Sequence, residues 1–173
     1  MSALVLDAGA LVAVDRNDRS VIAQLLVAER RGIELRTNAI VVAQAWRDDR
    51  GRQVGLARLL AAVDVRSISE ADGRAAGVLV ARSGTKDPID ATVALLAEPG
   101  DRILTSDPHD LTALVAAAGT AAVVVPCWPP RAMEHRGLPD LDLTAPPDRR
   151  RARPNRPRRR PIRREAPLRT RAH

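Results

Sequence analysis

Three carboxylates stand beside apolar runs at distant points of the chain: Asp7 in LVLDAGAL, Asp90 in DPIDATVALLA and Asp107 in ILTSDPHDL. Like charges brought together raise one another's pKa, so a cluster of acids serves to bind cations or to share a proton. Donors that are all oxygen favour Mg²⁺ or Mn²⁺. Such ions suit phosphodiester hydrolysis, one activating a water for in-line attack and a second, roughly 3.5–4 Å away, stabilising the leaving oxygen. A bare acidic pocket also repels a phosphate backbone, so a cation there would serve binding as well as catalysis.

Each acid also has a plain local role to weigh against this chemistry. Asp87 before Pro88 reads as a helix N-cap followed by the proline favoured at the first helical position. Asp90 differs, because three residues further on it shares a helix face with Ala94 and Ala97, small residues that let other backbone come close. A carboxylate on a buried face needs a partner. Asp7 before AGA reads locally as a turn former, Asp107 before Pro108 as the start of a turn, and Asp110 before LTALVAAAG as an N-cap. His109 is expected to be solvated rather than a ligand. No nucleophile constellation, phosphate-binding glycine loop or dinucleotide fingerprint occurs.

Whether the three acids meet depends on the elements that carry them. The chain has 173 residues, 45% of them apolar, enough for one domain with a real core. Without Phe or Tyr, and with Trp only at 46 and 128, that core must be built from Ala, Val, Leu and Ile. The single cysteine, Cys127, permits no internal disulfide and is expected to pack as a small buried hydrophobe. No basic leader precedes the first apolar run, which Asp7 and Asp15 interrupt, so neither a secretory signal nor a membrane span is expected and the protein reads as cytoplasmic.

Short β-branched runs alternate with helical patterns through the first 130 residues, which predicts an α/β fold. Strands are expected at 3–6, 33–37, 64–68, 102–105 and 122–125, and helices near 18–31, 39–47, 52–62, 70–82, 88–97 and 110–118. In an open parallel sheet, ligands bind at the carboxyl ends of the strands. Asp7 directly follows the first strand and Asp107 follows the fourth by two residues. The helix that carries Asp90 leads into the fourth strand, so its first turn lies at the same edge. The three carboxylates are therefore expected to converge.

Together, LVLDAGALVA, TNAIVVAQAWRD, DPIDATVALLA and ILTSDPHDLTAL resemble, in order over about residues 3–126, the PIN-domain ribonucleases, and among them the VapC-type toxins of toxin–antitoxin pairs. The resemblance implies a three-layer α/β/α PIN-like domain with a five-stranded parallel sheet. It also implies a Mg²⁺- or Mn²⁺-dependent endoribonuclease acting on RNA, a cognate antitoxin and a homodimer. Carried over by position, Asp7, Asp90 and Asp107 are the catalytic and metal-binding acids, with Thr105, Asp87, Asp110 and Gln44 in supporting places. Gln44 is a departure, because the family usually carries a glutamate there. The amide keeps a donor oxygen and loses a negative charge; Asp48, one turn further on, could supply it. A second reading follows, in which the chain is a catalytically weakened PIN domain that binds RNA or a protein partner.

Charge divides the sequence. Residues 1–130 hold 14 basic and 16 acidic residues, whereas 131–173 hold 14 basic and 5 acidic, so the formal charge of +7 belongs to the C-terminal stretch. That stretch, rich in Arg and Pro with little to bury, is expected to be a disordered tail following a PIN-like domain at 1–130. It could bind phosphates without sequence preference, although it lacks interleaved aromatics. A chain ended near Pro130 is therefore expected to keep its melting temperature while losing salt-sensitive RNA affinity; a large drop in melting temperature would show that the tail packs on the domain.

Overall fold

The computed structural model of the chain describes residues 2–47 and 51–127. Asp48 and the expected tail at 131–173 lie outside the described residues. Five strands, β1 (Ala3–Leu6), β2 (Glu34–Asn38), β3 (Asp64–Arg66), β4 (Arg102–Thr105) and β5 (Val123–Pro126), form one parallel sheet in the order β3-β2-β1-β4-β5. The helices between them are α1 (Ala8–Asp15), α2 (Arg19–Arg30), α3 (Ala39–Ala45), α4 (Val54–Leu60), α5 (Glu70–Ser83), α6 (Pro88–Leu96) and α7 (Pro108–Ala118). No helix among the described residues is long and apolar enough to cross a membrane.

The strand order carries the architecture. Parallel neighbours require crossovers, and these are right-handed. The chain steps outward from β1 to β3, then returns past β1 to β4 and β5, so the helices of its two halves cover opposite faces. Accordingly α1 packs with α2, α3 and α4, while α5, α6 and α7 pack on one another. The result is the expected three-layer α/β/α arrangement. The central strands read as unbroken apolar runs because both faces are covered. Leu4, Val5 and Leu6 of β1 and Ile103 and Leu104 of β4 are buried, with Leu11, Val21, Val41, Leu56, Leu111 and Leu114 packed from the helices.

Most expected elements form within a residue or two of their expected bounds, with three corrections. Helix α1 was not expected at all. Its residues AGALVAVD are almost wholly apolar and carry no amphipathic stripe, because Ala10, Leu11 and Val14 are buried and the rest of the helix is largely covered as well. Helix α7 starts at Pro108, two residues earlier than expected, so Asp110 is not its N-cap and lies in its first turn. Strand β3 stops at Arg66, two residues before its expected end, and Ser69 caps α5 soon after.

Two close associations fix the ends of the central strands. Before β4, the buried Asp101 accepts from the N–H of Ala3 at 2.6 Å and of Glu98 at 2.9 Å, and pairs with Arg36 at 3.5 Å. At the carboxyl edge, α1 presses against the β4–α7 connection at Gly9. A Cβ on Gly9 would stand 2.1 Å from Ser106 Oγ and 2.9 Å from the Ser106 backbone nitrogen. Only hydrogen fits there. Gly9→Ala is expected to destabilise the fold by about 1–3 kcal/mol, the usual range for overpacking, and Ser106→Gly in the same chain should recover part of the loss. Equilibrium denaturation of the single and double variants measures both.

Candidate functional site

The order in which the chain adds strands reverses between β1 and β4, which is where an open α/β sheet leaves a crevice at its carboxyl edge. Asp7 and Asp107 leave the two strands that flank this point. Asp7 is 5% exposed and caps α1, accepting from the N–H of Ala8. Its second oxygen accepts the hydroxyl proton of the fully buried Thr105 at 2.8 Å, and the same hydroxyl accepts from the N–H of Asp107 at 2.9 Å. One threonine at the end of β4 thus links the two acids.

Asp107 occupies the N-cap position of α7, yet its exposed side chain makes no capping hydrogen bond. A local turn role would have used that carboxylate. Asp87 behaves as the plain reading expected, capping α6 by accepting from the N–H of Ile89 at 2.7 Å. Asp90 lies in the first turn of α6, half-buried, with Ala94 and Ala97 buried on its face as expected.

Electrostatics report the convergence. Burial, followed by the charges of Asp7, Asp87, Asp107 and Asp110, pushes the Asp90 carboxyl up to about 7. Burial also raises Asp7, against the lowering effect of its bonds to Thr105 and to the Ala8 and Gly9 backbone, with Asp87 adding to the rise. Burial, with Asp7 and Asp18 nearby, holds the thiol of Cys127 at about 12, so it is a protonated, buried neighbour of the site.

Gln44 lies near the end of α3. Among the described residues its Oε1 is buried without a hydrogen-bond partner. Sequence reasoning missed Asn38, which ends β2, caps α3 through Oδ1 to the N–H of Ile40 and Val41, and donates from Nδ2 to Thr92 Oγ1 on α6 at 3.0 Å. Asn38 therefore ties the helix of Gln44 to the helix of Asp90. Its signal was present in sequence, since an asparagine between a strand and AIVVAQA is a cap. His109 is exposed, and its Nδ1 faces Asp110 at 3.2 Å.

Among the described residues, no three His, Cys, Asp or Glu side chains close on one point as a finished metal-binding group. The acids nonetheless suit a hard divalent ion, being all-oxygen donors whose charges raise the Asp90 carboxyl, with the Asp107 side chain making no cap bond.

No family model and no curated protein matches the sequence. Among solved structures, the chain is similar to one in VapBC2 from Rickettsia felis, solved bound to a DNA fragment from their promoter. The TM-score is 0.53 and the identity 14%, over 73% of this chain and 99% of that one. The likeness shows the fold, a PIN-like α/β domain.

The raised Asp90 pKa makes stability depend on pH. Between about pH 4 and pH 7 the folded chain holds a proton at Asp90 that the unfolded chain has lost, so stability falls as pH rises through this window. Asp90→Asn removes that penalty. It is expected to stabilise the metal-free protein at pH 8 by about 1–2 kcal/mol, allowing for solvent screening at a half-buried site, and to have little effect at pH 4. Denaturant titrations at the two pH values test this, and an equal effect at both would contradict it.

Proposed function

We propose that the chain is a metal-dependent endoribonuclease of the VapC type, with Asp7, Asp90 and Asp107 as the acids that hold Mg²⁺ or Mn²⁺. The observation that carries this reading is Asp90: a carboxyl brought to about 7 by burial and four other acids is a poor structural element and a good cation ligand. A divalent ion bound there would supply a Lewis acid for the scissile phosphate and an activated water. The protein's own part is positional. Thr105 orients Asp7 by donating to one of its oxygens and fixes the Asp107 backbone with the other side of its hydroxyl. Asn38 and Thr92 set α3, which carries Gln44, against α6, which carries Asp90. Thr37 donates to the Leu6 carbonyl at 2.8 Å, steadying the chain just before Asp7.

In this reading RNA is the substrate, an antitoxin is the partner and a second copy completes a homodimer. The similar VapBC2 chain, in a structure described as bound to promoter DNA, supports a toxin–antitoxin setting. The domain would end near residue 130, with the Arg-rich stretch as an appendage that adds phosphate affinity.

Gln44 supports the second reading, a weakened PIN domain that binds without efficient cleavage. Its amide leaves the acid cluster one charge short of the family pattern. The two readings separate on purified protein incubated with total RNA, with and without Mn²⁺: discrete fragments that need Mn²⁺ and vanish in Asp90→Asn support the nuclease, and intact RNA supports the binding module. Asp7→Asn, Asp90→Asn and Asp107→Asn are each expected to weaken Mn²⁺ binding about tenfold or more by calorimetry. Gln44→Glu is expected to tighten it and to speed cleavage, while lowering metal-free stability by added repulsion. Unchanged Mn²⁺ affinity in all three Asn variants would reject the site.

A further inference from the structure

A cavity of about 220 Å³ opens beside α6, on the face turned away from Asp90, between that helix and the β3–α5 connection. Nothing in the acidic site uses it. Ile68, Leu95 and Leu96 give it apolar walls, and Arg66, Ser67 and Thr92 give it polar ones. Its place relates it to the acids. Arg66 ends β3 in register with Asn38, and Thr92, which receives the Asn38 hydrogen bond, stands on α6 two residues beyond Asp90.

The chemistry of the walls is mixed in a particular way. Arg66 uses Nε on Asp64 at 2.6 Å, and neither of its Nη groups has a partner among the described residues. A guanidinium with free Nη donors is suited to a phosphate oxygen pair. Leu95 is 42% exposed, so it is an apolar surface waiting to be covered. Asp72, also on the lining, is kept ionised by Ser69, whose N–H and hydroxyl both bond its Oδ2. Its other oxygen remains an acceptor for an amino group. An anion site at the rim, a slot with apolar walls and polar edges inside together describe one nucleotide: phosphate on Arg66, base against Ile68 and Leu95, and the base edge toward Ser67 and Asp72.

We infer that this cavity is a nucleotide subsite, which seats one unpaired nucleotide of a bound RNA on the face of α6 away from the acids. The inference rests on the RNA reading above for its place in a longer chain, while the binding of a single nucleotide can be read without metal or cleavage. The full-length protein is titrated, metal-free, with each of the four nucleoside 5′-monophosphates, and the methyl resonances of Ile68, Leu95 and Leu96 are followed. These report the cavity and are blind to phosphates held elsewhere on arginines. Saturable shifts are expected with at least one nucleotide, weakened about tenfold in Arg66→Ala and lost in Leu95→Trp, whose ring fills the slot. They should persist in Asp90→Asn. Where Mn²⁺-dependent cleavage is present, Arg66→Ala should raise KM about tenfold with kcat held.

Methyl resonances that ignore all four nucleotides, or that shift equally in Arg66→Ala, overturn the subsite and leave the slot as a seat for an apolar side chain of a protein partner. Shifts that persist in a protein showing no Mn²⁺ binding and no cleavage would sustain the subsite while removing the nuclease reading.

Discussion

Burial of the Asp7 carboxylate at the carboxyl end of β1 is the constraint on which the working edge of this molecule turns. A charge that is 5% exposed must be compensated, and among the described residues the chain offers it a Thr105 hydroxyl and the backbone N–H of Ala8 but no ion pair. Those compensations come from two places that only the sheet brings together, the first turn of α1 and the last residue of β4. Their closeness in turn demands glycine at position 9, where Ser106 leaves no room for a Cβ. Position, hydrogen bonding and packing at this edge are consequences of one another.

The remaining acids add repulsion rather than relief. Asp87 caps its own helix, and burial, followed by the charges of Asp7, Asp87, Asp107 and Asp110, leaves Asp90 a carboxyl that holds its proton to near neutrality. The chain does not lack the means to neutralise buried acids. On the far side of the strands, Asp101 is almost fully buried and meets two backbone N–H groups and Arg36, which also reaches Glu34 and Glu98. The contrast is informative: among the described residues the fold pairs buried Asp101 with Arg36, whereas Asp7, Asp90 and Asp107 at the crevice form no ion pair.

The polar link from Asn38 to Thr92 joins this crevice to the slot beside α6. Asn38 is fully buried and spends each end of its amide, one on the start of α3 and one on α6. It therefore stands between the acids on one side and the cavity that begins at Arg66 on the other.

The sequence by itself determined the layers, the strands and the three acids that face one edge. Alternation of β-branched and helical runs survives in any α/β chain, and a parallel sheet sends every strand's end to the same side. It also determined the caps that act locally, as at Asp87, because an N-cap depends on neighbours within three residues. Helix α1 escaped because a helix covered on most sides has no polar stripe to mark its period. Asp110 was misread because Asp107 holds the cap position of α7 without using its side chain, a choice made by surroundings rather than by spacing. Tertiary structure alone decided that Thr105 would bridge Asp7 and Asp107 and that Gly9 would meet Ser106. Each of these is a contact between elements far apart in the chain, and sequence spacing carries no information about which distant side chain will fill a given neighbour's hydrogen bond.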